Sequence, residues 1–482
     1  MKSLYRILTS SLLGAAVFAF WFWLYPQDLS YQEQNQLFLF TWNYLGERLM
    51  LPGGPADWLS EFLVQFFYYR WAGALIMALL AVILQRAVWH ASGKRHSLYL
   101  LSFIPSLLLL VYQGDVEVLL SYPVALLMAI CLCQPMARTT WHRLWLIPLG
   151  WWLAGPLVVV PVLYAVIRNH RWTDLLMTVY TLLVFWLGYR LLAAQYPARD
   201  AFFGLNYYRL VETLPTLQIV IPAVALLVIL LCGLGLHLRR PVASGVTLAI
   251  LLAAATWSGV KFTYDRDTHE VIAYDWLIRH ERYADVLKRA GKYQPHNPIS
   301  ACSVNFCLFT EGQLDQRLTD FWQCGTKGLV LPSIRDNMSD ITSAEVLWRM
   351  GMPNITLQYA FDLQESIQNG RKSGRFMRMI AECNIVNGWY DRAEKYLDIL
   401  SHSLFYRKWA LGRKTMIRNE ESVNADPVYS YIRQVRFRDD FITYYDGLDL
   451  MMAILYNQNK NNFMAAQYYL AWQRLKQMEE GQ

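Results

Sequence analysis

Apolar residues dominate the first half of the chain in long runs, and polar and apolar residues alternate with a helical rhythm in the second. A helix needs about 20 apolar residues to cross a bilayer core. Runs of that kind fall at 7–24, 71–89, 98–112, 119–133, 173–193, 217–236 and 241–260, so about seven spans are expected within residues 1–262. A further run, 144–167, is interrupted at Gly155-Pro156. It reads either as one long span or as a hairpin of two half-helices, because proline disrupts a helix interior. From residue 267 to about 475, helical segments are separated by short turns, and no strand pattern competes. The expected fold class is therefore all-α, with a polytopic transmembrane helical domain followed by a soluble helical domain.

Charge sharpens this division. Residues 1–260 hold 16 Lys and Arg and 10 Asp and Glu, while the remaining 222 hold 28 and 27. The formal net charge of +7 thus splits into +6 and +1. A nucleic-acid binder would concentrate basic charge on its soluble part, so no nucleic-acid partner is expected. The excess instead orients the chain in a bilayer. With a hairpin at 144–167, one side collects Lys2, Arg6, Arg86, Lys94, Arg95, Arg138, Arg143, Arg168, Arg171, Arg239 and Arg240. The other collects Asp28, Glu33, Glu47, Asp57, Glu61, Asp115, Glu117, Asp200 and Glu212. The positive-inside rule favours this arrangement. It puts the C-terminal domain outside, periplasmic for a protein of a bacterial inner membrane. Half-helices of about 12 residues rise only about 18 Å, so the hairpin would be re-entrant.

The soluble half repeats itself. The turns Glu281-Arg282-Tyr283, Gly312-Gln313-Leu314, Gly351-Met352-Pro353, Gly388-Trp389-Tyr390 and Asn461-Asn462-Phe463 have third positions 31, 39, 37 and 73 residues apart. The fullest copy runs from Asn387 to Leu397, with Ala393 small enough for two helices to approach closely. Residues 267–475 accordingly resemble divergent tetratricopeptide-like repeats, whose period is near 34. That resemblance implies a concave surface for an envelope protein or peptide. Arg413 to Pro427 reads as a long connection.

Motifs for metals, dinucleotides, phosphate-binding loops and nucleophile elbows are missing, and neither cofactor nor metal is expected. Cys302, Cys307, Cys324 and Cys383 lack zinc-site spacing and read as free thiols. The long outer loop, 25–70, is the one chemically suggestive region. Asp28 and Glu33 follow the first span, and segments 37–50 and 55–69 are amphipathic. Leu37, Phe40, Tyr44, Trp58, Phe62 and Phe66 are expected to lie on the membrane surface.

The loop carboxylates and the broken stretch Gly150-Trp151-Trp152-Leu153-Ala154-Gly155-Pro156 resemble polytopic glycosyltransferases of the GT-C class. The resemblance implies a polyprenyl-linked sugar donor and a carboxylate that takes the acceptor's proton. On that reading Glu33 is the catalytic carboxylate and Asp28 the reserve, although Gln32 and Gln34 flank Glu33 where the class usually has paired acids. Glu33-Gln34-Asn35-Gln36-Leu37-Phe38, Leu51-Pro52-Gly53-Gly54, Glu61-Phe62-Leu63-Val64-Gln65-Phe66 and Leu404-Phe405-Tyr406-Arg407-Lys408-Trp409-Ala410 also resemble an uncharacterised polytopic family of Bacteroidota. That family implies architecture and envelope location but no activity. Two functions remain: a membrane-anchored scaffold whose repeats recruit an envelope protein, and a GT-C-like transferase. A transporter is disfavoured because the spans carry few polar residues beyond Arg190.

Overall fold

The computed structural model describes all residues except 1, 94–97, 139, 170–171, 211–212, 235–240, 333–337, 368–369, 438–446 and 481–482. Lys94, Arg95, Arg171, Glu212, Arg239 and Arg240, which carry part of the orientation argument, lie outside the described residues. The described residues are helical, with isolated bridges in place of strands. The chain divides into two compact units, Met1–Glu33 with Phe40–Asp265, and Gln34–Leu39 with Arg266–Gln482.

The first unit is built from α1 (Lys2–Ala19), α2 (Pro26–Gln34, whose last residue falls in the second unit), α3 (Trp42–Leu49), α4 (Gly54–Val64) and α5 (Arg70–Ala91). It continues through α6 (Ile104–Tyr112), α7 (Ser121–Arg138), α8 (Thr140–Ala154), α9 (Val159–Asn169), α10 (Trp172–Gly188), α11 (Ala198–Phe203), α12 (Thr216–Gly233) and α13 (Pro241–Thr263). Six stretches are long and apolar enough to cross a membrane, by length and composition: Leu4–Leu24, Arg70–Ala91, Trp141–Asn169, Trp172–Ala193, Thr216–Gly233 and Gly245–Thr263. The expected span at 98–112 is shorter, a 3-10 turn leading into nine α-helical residues. A polar seam ties α1 and α5 together. Ser10 donates to Gln85 Oε1 at 2.8 Å, and Gln85 Nε2 donates to Ser102 Oγ at 2.8 Å. All three are buried, where an amide between helices finds few competing partners.

The stretch 141–169 is broken at Gly155, which has φ +54°. At its start, Arg143 Nε donates to the Met136 carbonyl at 2.7 Å. At its end, Asn169 Nδ2 donates to the Ala137 carbonyl at 3.1 Å. Both ends therefore lie beside the last turns of α7, and α8 and α9 run in opposite directions. Gly150 makes this possible, since a Cβ there would come within 2.6 Å of Val158.

The second unit comprises α14 (Arg266–Arg279), α15 (Tyr283–Lys292), α16 (Pro298–Thr310), α17 (Leu314–Arg317), α18 (Ser339–Met350), α19 (Pro353–Glu365), α20 (Gly374–Asn387) and α21 (Tyr390–Ser401). It ends with α22 (Arg407–Met416), α23 (Glu420–Ala425), α24 (Pro427–Val435), α25 (Leu448–Gln458) and α26 (Phe463–Glu480). From α18 to α22 each helix packs on the next. Gly351 and Gly388 end α18 and α20 in the left-handed conformation, at φ +89° and +77°, which glycine adopts without Cβ strain. Ala393 is fully buried. One apolar core runs from Leu37 and Tyr274 to Leu475. The stretch expected as a connection from Arg413 to Pro427 instead contains the end of α22 and all of α23, because Asn419 caps α23 at the Glu421 amide.

Candidate functional site

Glu33 and Asp28 both lie on α2 and are buried, with 5% and 4% of their surface exposed. Two cavities of about 20 Å³, each the size of a water molecule or so, open in the first unit. Neither is lined by Glu33 or Asp28. Arg70 is exposed and lies over the Phe22 ring.

Of the residues expected along the membrane surface, Phe40 is exposed and Trp58, Phe62 and Phe66 are half-buried, whereas Leu37 and Tyr44 are buried. Tyr44 is buried, and its hydroxyl donates to Glu61. Leu37 is buried in the core of the second unit. Segment 37–50 is extended up to Thr41, which caps α3 by accepting from the Tyr44 amide. The buried side of α4 carries polar groups, Asp57, Ser60 and Glu61, each 1% exposed, together with Ala56 and Val64, while Trp58 and Phe62 are half-buried. The rings of Trp58 and Phe62 stack along the other side, with centroids 6.1 Å apart.

α4 packs against α7 and α8, so its polar side is spent on the interior. Arg48 Nε donates to Glu61 Oε2 at 2.9 Å and lies 4.0 Å from Asp57. Asp57 also accepts from Asn206 Nδ2 at 2.9 Å. Asn206 belongs to a short extended stretch that pairs with residues 117–119. Leu119 N donates to Tyr207 O at 3.0 Å, and Arg209 N donates to Glu117 O at 2.9 Å. Successive side chains of this stretch reach different partners. The Tyr207 hydroxyl donates to the Ala154 carbonyl at 2.6 Å, and that of Tyr208 to Asp115 at 2.7 Å. The Arg209 guanidinium lies 3.5 Å from Glu117 and over the Tyr31 ring. The turn at Gly155 is held here too, since Gly53 N donates to Trp151 O at 3.2 Å. A Cβ on Gly53 would approach Gly155 N to 3.2 Å. These charges act on one another, and their chemistry is to fix the outer-loop helices in place. A second buried ion pair, Arg143–Asp174, ties α8 to α10.

The sequence reading passed over Asn206 and gave Asp57 and Glu61 no role beyond a charged side. Their i, i+4 spacing was the available signal, because it puts both acids on one helix face.

The second unit contains a different arrangement. The segment Gln34–Leu39, which leaves the end of α2 through a turn at Asn35, belongs to it, with Gln34, Asn35, Gln36, Leu37 and Phe38 all buried. Leu37 N donates to the Lys372 carbonyl at 2.7 Å. Gln34 Oε1 accepts from Arg279 at 3.0 Å and from Arg375 at 3.1 Å. Arg375 is itself bound by Asp275, at 2.8 and 2.9 Å to its two oxygens, and by Glu345 at 3.3 Å. Next along α20, burial pushes the Glu382 carboxyl above its ordinary value, while Arg378 opposes the shift. All described cysteines are free, and burial pushes the Cys302 thiol up to about 12. Among the described residues no cluster of three or more His, Cys, Asp or Glu could hold a metal ion.

These features define an all-α protein with several membrane-length apolar helices, a polar network buried inside the apolar unit, and a helical unit that holds a segment from near the N-terminus. The chain belongs to a family of unknown function, DUF6057, whose model matches residues 2–477. No curated protein and no solved structure matches it.

Proposed function

We propose that the protein is an integral inner-membrane scaffold of the bacterial envelope, presenting a tetratricopeptide-like domain to a protein or peptide partner. The observation that carries this reading is that the helical unit holds Gln34–Leu39, a segment remote in sequence, through the Leu37 main chain and the Gln34 side chain. Helical repeat stacks build concave surfaces that bind protein and peptide segments. The spacing of the Gly351 and Gly388 turns and the buried Ala393 support the repeat assignment.

The antiparallel α8 and α9 support a re-entrant hairpin, with 15 and 11 residues. With α1, α5, α6, α7, α10, α12 and α13 as spans, the N-terminus is inside and the helical unit is periplasmic. The stretches shared with the polytopic Bacteroidota family agree with an envelope location.

A GT-C-like transferase using a polyprenyl-linked sugar is the second reading. It is favoured by the burial of Glu33 and Asp28 on the helix after the first span, and by the interrupted hairpin packed on Gly53. Complementation of a deletion strain separates the two. The scaffold reading expects Glu33→Gln, expressed normally, to restore the wild-type phenotype, with surface glycan and lipid-linked sugar pools unchanged by the deletion. Loss of function by Glu33→Gln together with loss of surface glycan would establish the transferase instead.

A further inference from the structure

The resident segment indicates what the helical unit recognises. Two guanidiniums, of Arg279 and Arg375, converge on the single side-chain oxygen of Gln34. Arg375 is 8% exposed and already bound by two carboxylates, Asp275 and Glu345. A neutral amide completes its donor fork, whereas a third carboxylate would add an uncompensated charge to a buried site. Three residues on, the Leu37 amide binds the Lys372 carbonyl, and Leu37 and Phe38 are 6% and 3% exposed. The segment is thus read at three levels: an amide at its first position, a main-chain donor at its fourth, and apolar side chains at its fourth and fifth.

We propose that the site made by Arg279, Arg375 and the Lys372 carbonyl recognises a segment with Gln in first place, at a helix end, and Leu-Phe fourth and fifth. Gln34–Leu39 occupies it in cis, and a protein partner presenting the same pattern takes it in exchange. This rests on the scaffold reading and names its partner's chemistry. A tethered segment acts at an effective concentration in the millimolar range, so the resident copy suppresses binding in trans until it is weakened.

The test uses the full chain in detergent and the capped hexapeptide Gln-Asn-Gln-Leu-Phe-Leu carrying a fluorophore, with anisotropy as readout. Weakening the resident copy by Gln34→Ala with Leu37→Ala is expected to tighten peptide binding at least about tenfold. Adding Arg375→Lys, which keeps the charge but loses the fork, should reverse that gain. A peptide with Glu in first place should bind about tenfold more weakly than the Gln peptide. Peptide binding no tighter in the weakened chain, or indifferent to Arg375→Lys, overturns the proposal. Hydrogen exchange on the unmodified chain avoids any folding defect of the variants: peptide supplied well above the effective concentration of the resident copy should accelerate exchange of the Leu37 amide, and unchanged exchange there overturns the proposal. The scaffold reading fails by a different result, the Glu33→Gln phenotype, so the two failures are distinguishable.

Discussion

Ile250 on α13 and Leu470 on α26 are almost equally exposed, at 63% and 62%, yet their surroundings are opposite. Around Ile250 the large exposed side chains are Val246, Leu251 and Trp257. Near Leu470 on the same helix lie Arg474, Lys476 and Glu479. Both interiors hold charge: α4 turns Asp57, Ser60 and Glu61 inward beside Ala56 and Val64, and α20 buries Arg375 beside Phe376, Ile380 and Ile385. The two units differ in what they expose, and exposure alone does not identify the solvent.

The buried charges should give the largest effect. Glu61→Ala leaves Arg48 in the interior without its closest carboxylate, and removing one partner of a buried pair costs about 3–5 kcal/mol. Thermal unfolding in detergent should show that loss. A fall of under about 1 kcal/mol would mean that water reaches Arg48 and that the pair is not sealed in the interior. The next effect compares the two exposed residues directly. Ile250→Lys, near the middle of α13, should disfavour membrane insertion by about 2.5–3.5 kcal/mol. Leu470→Lys should stay within about 0.5 kcal/mol of wild type, as surface changes do. Insertion assays and melting curves read these two, and equal effects would erase the distinction between the units.

A smaller effect separates the turns. Gly388 has φ +77° and open space around its Cβ direction, so Gly388→Ala should cost about 1–2 kcal/mol from backbone strain alone. Smallest is a pH effect at Glu382. Its carboxyl holds a proton more tightly in the folded state than in the unfolded chain. The stability linked to it is therefore full below the unfolded carboxylate range and lost as pH rises through the raised folded value. Glu382→Gln should gain on wild type as pH rises across that window, and a gain on acidification would reverse the assignment.

The apolar runs made α1, α5, α10, α12 and α13 visible in the sequence, because each signal is contained in its own segment. Gly351 and Gly388 announced their turns for the same reason. The networks were hidden because their partners are remote. Gln34 meets Arg279 and Arg375 across 245 and 341 residues, and Gln-Asn-Gln ahead of Leu-Phe-Leu has no helical or strand period to mark it. On α4 the amphipathic pattern was plain, but its sense was not. In water the polar side of such a helix faces out, and here it faces α7 and α8. The acids assigned from resemblance, Glu33 and Asp28, were placed by chain position after the first span, which says nothing about what surrounds them.

The bond between Asn206 and Asp57 spans 149 residues, and this has a consequence for the order of biosynthesis. Chains emerge at about 5–20 residues per second, so Asp57 exists for about 10–30 seconds before Asn206 has been made. α7, α8 and α9 are made within that interval, so they can cover Arg48, Asp57 and Glu61 before the 206–209 stretch arrives. The Asn206 bond is therefore the last of these contacts to become possible, which makes closure of the network a late step in assembly.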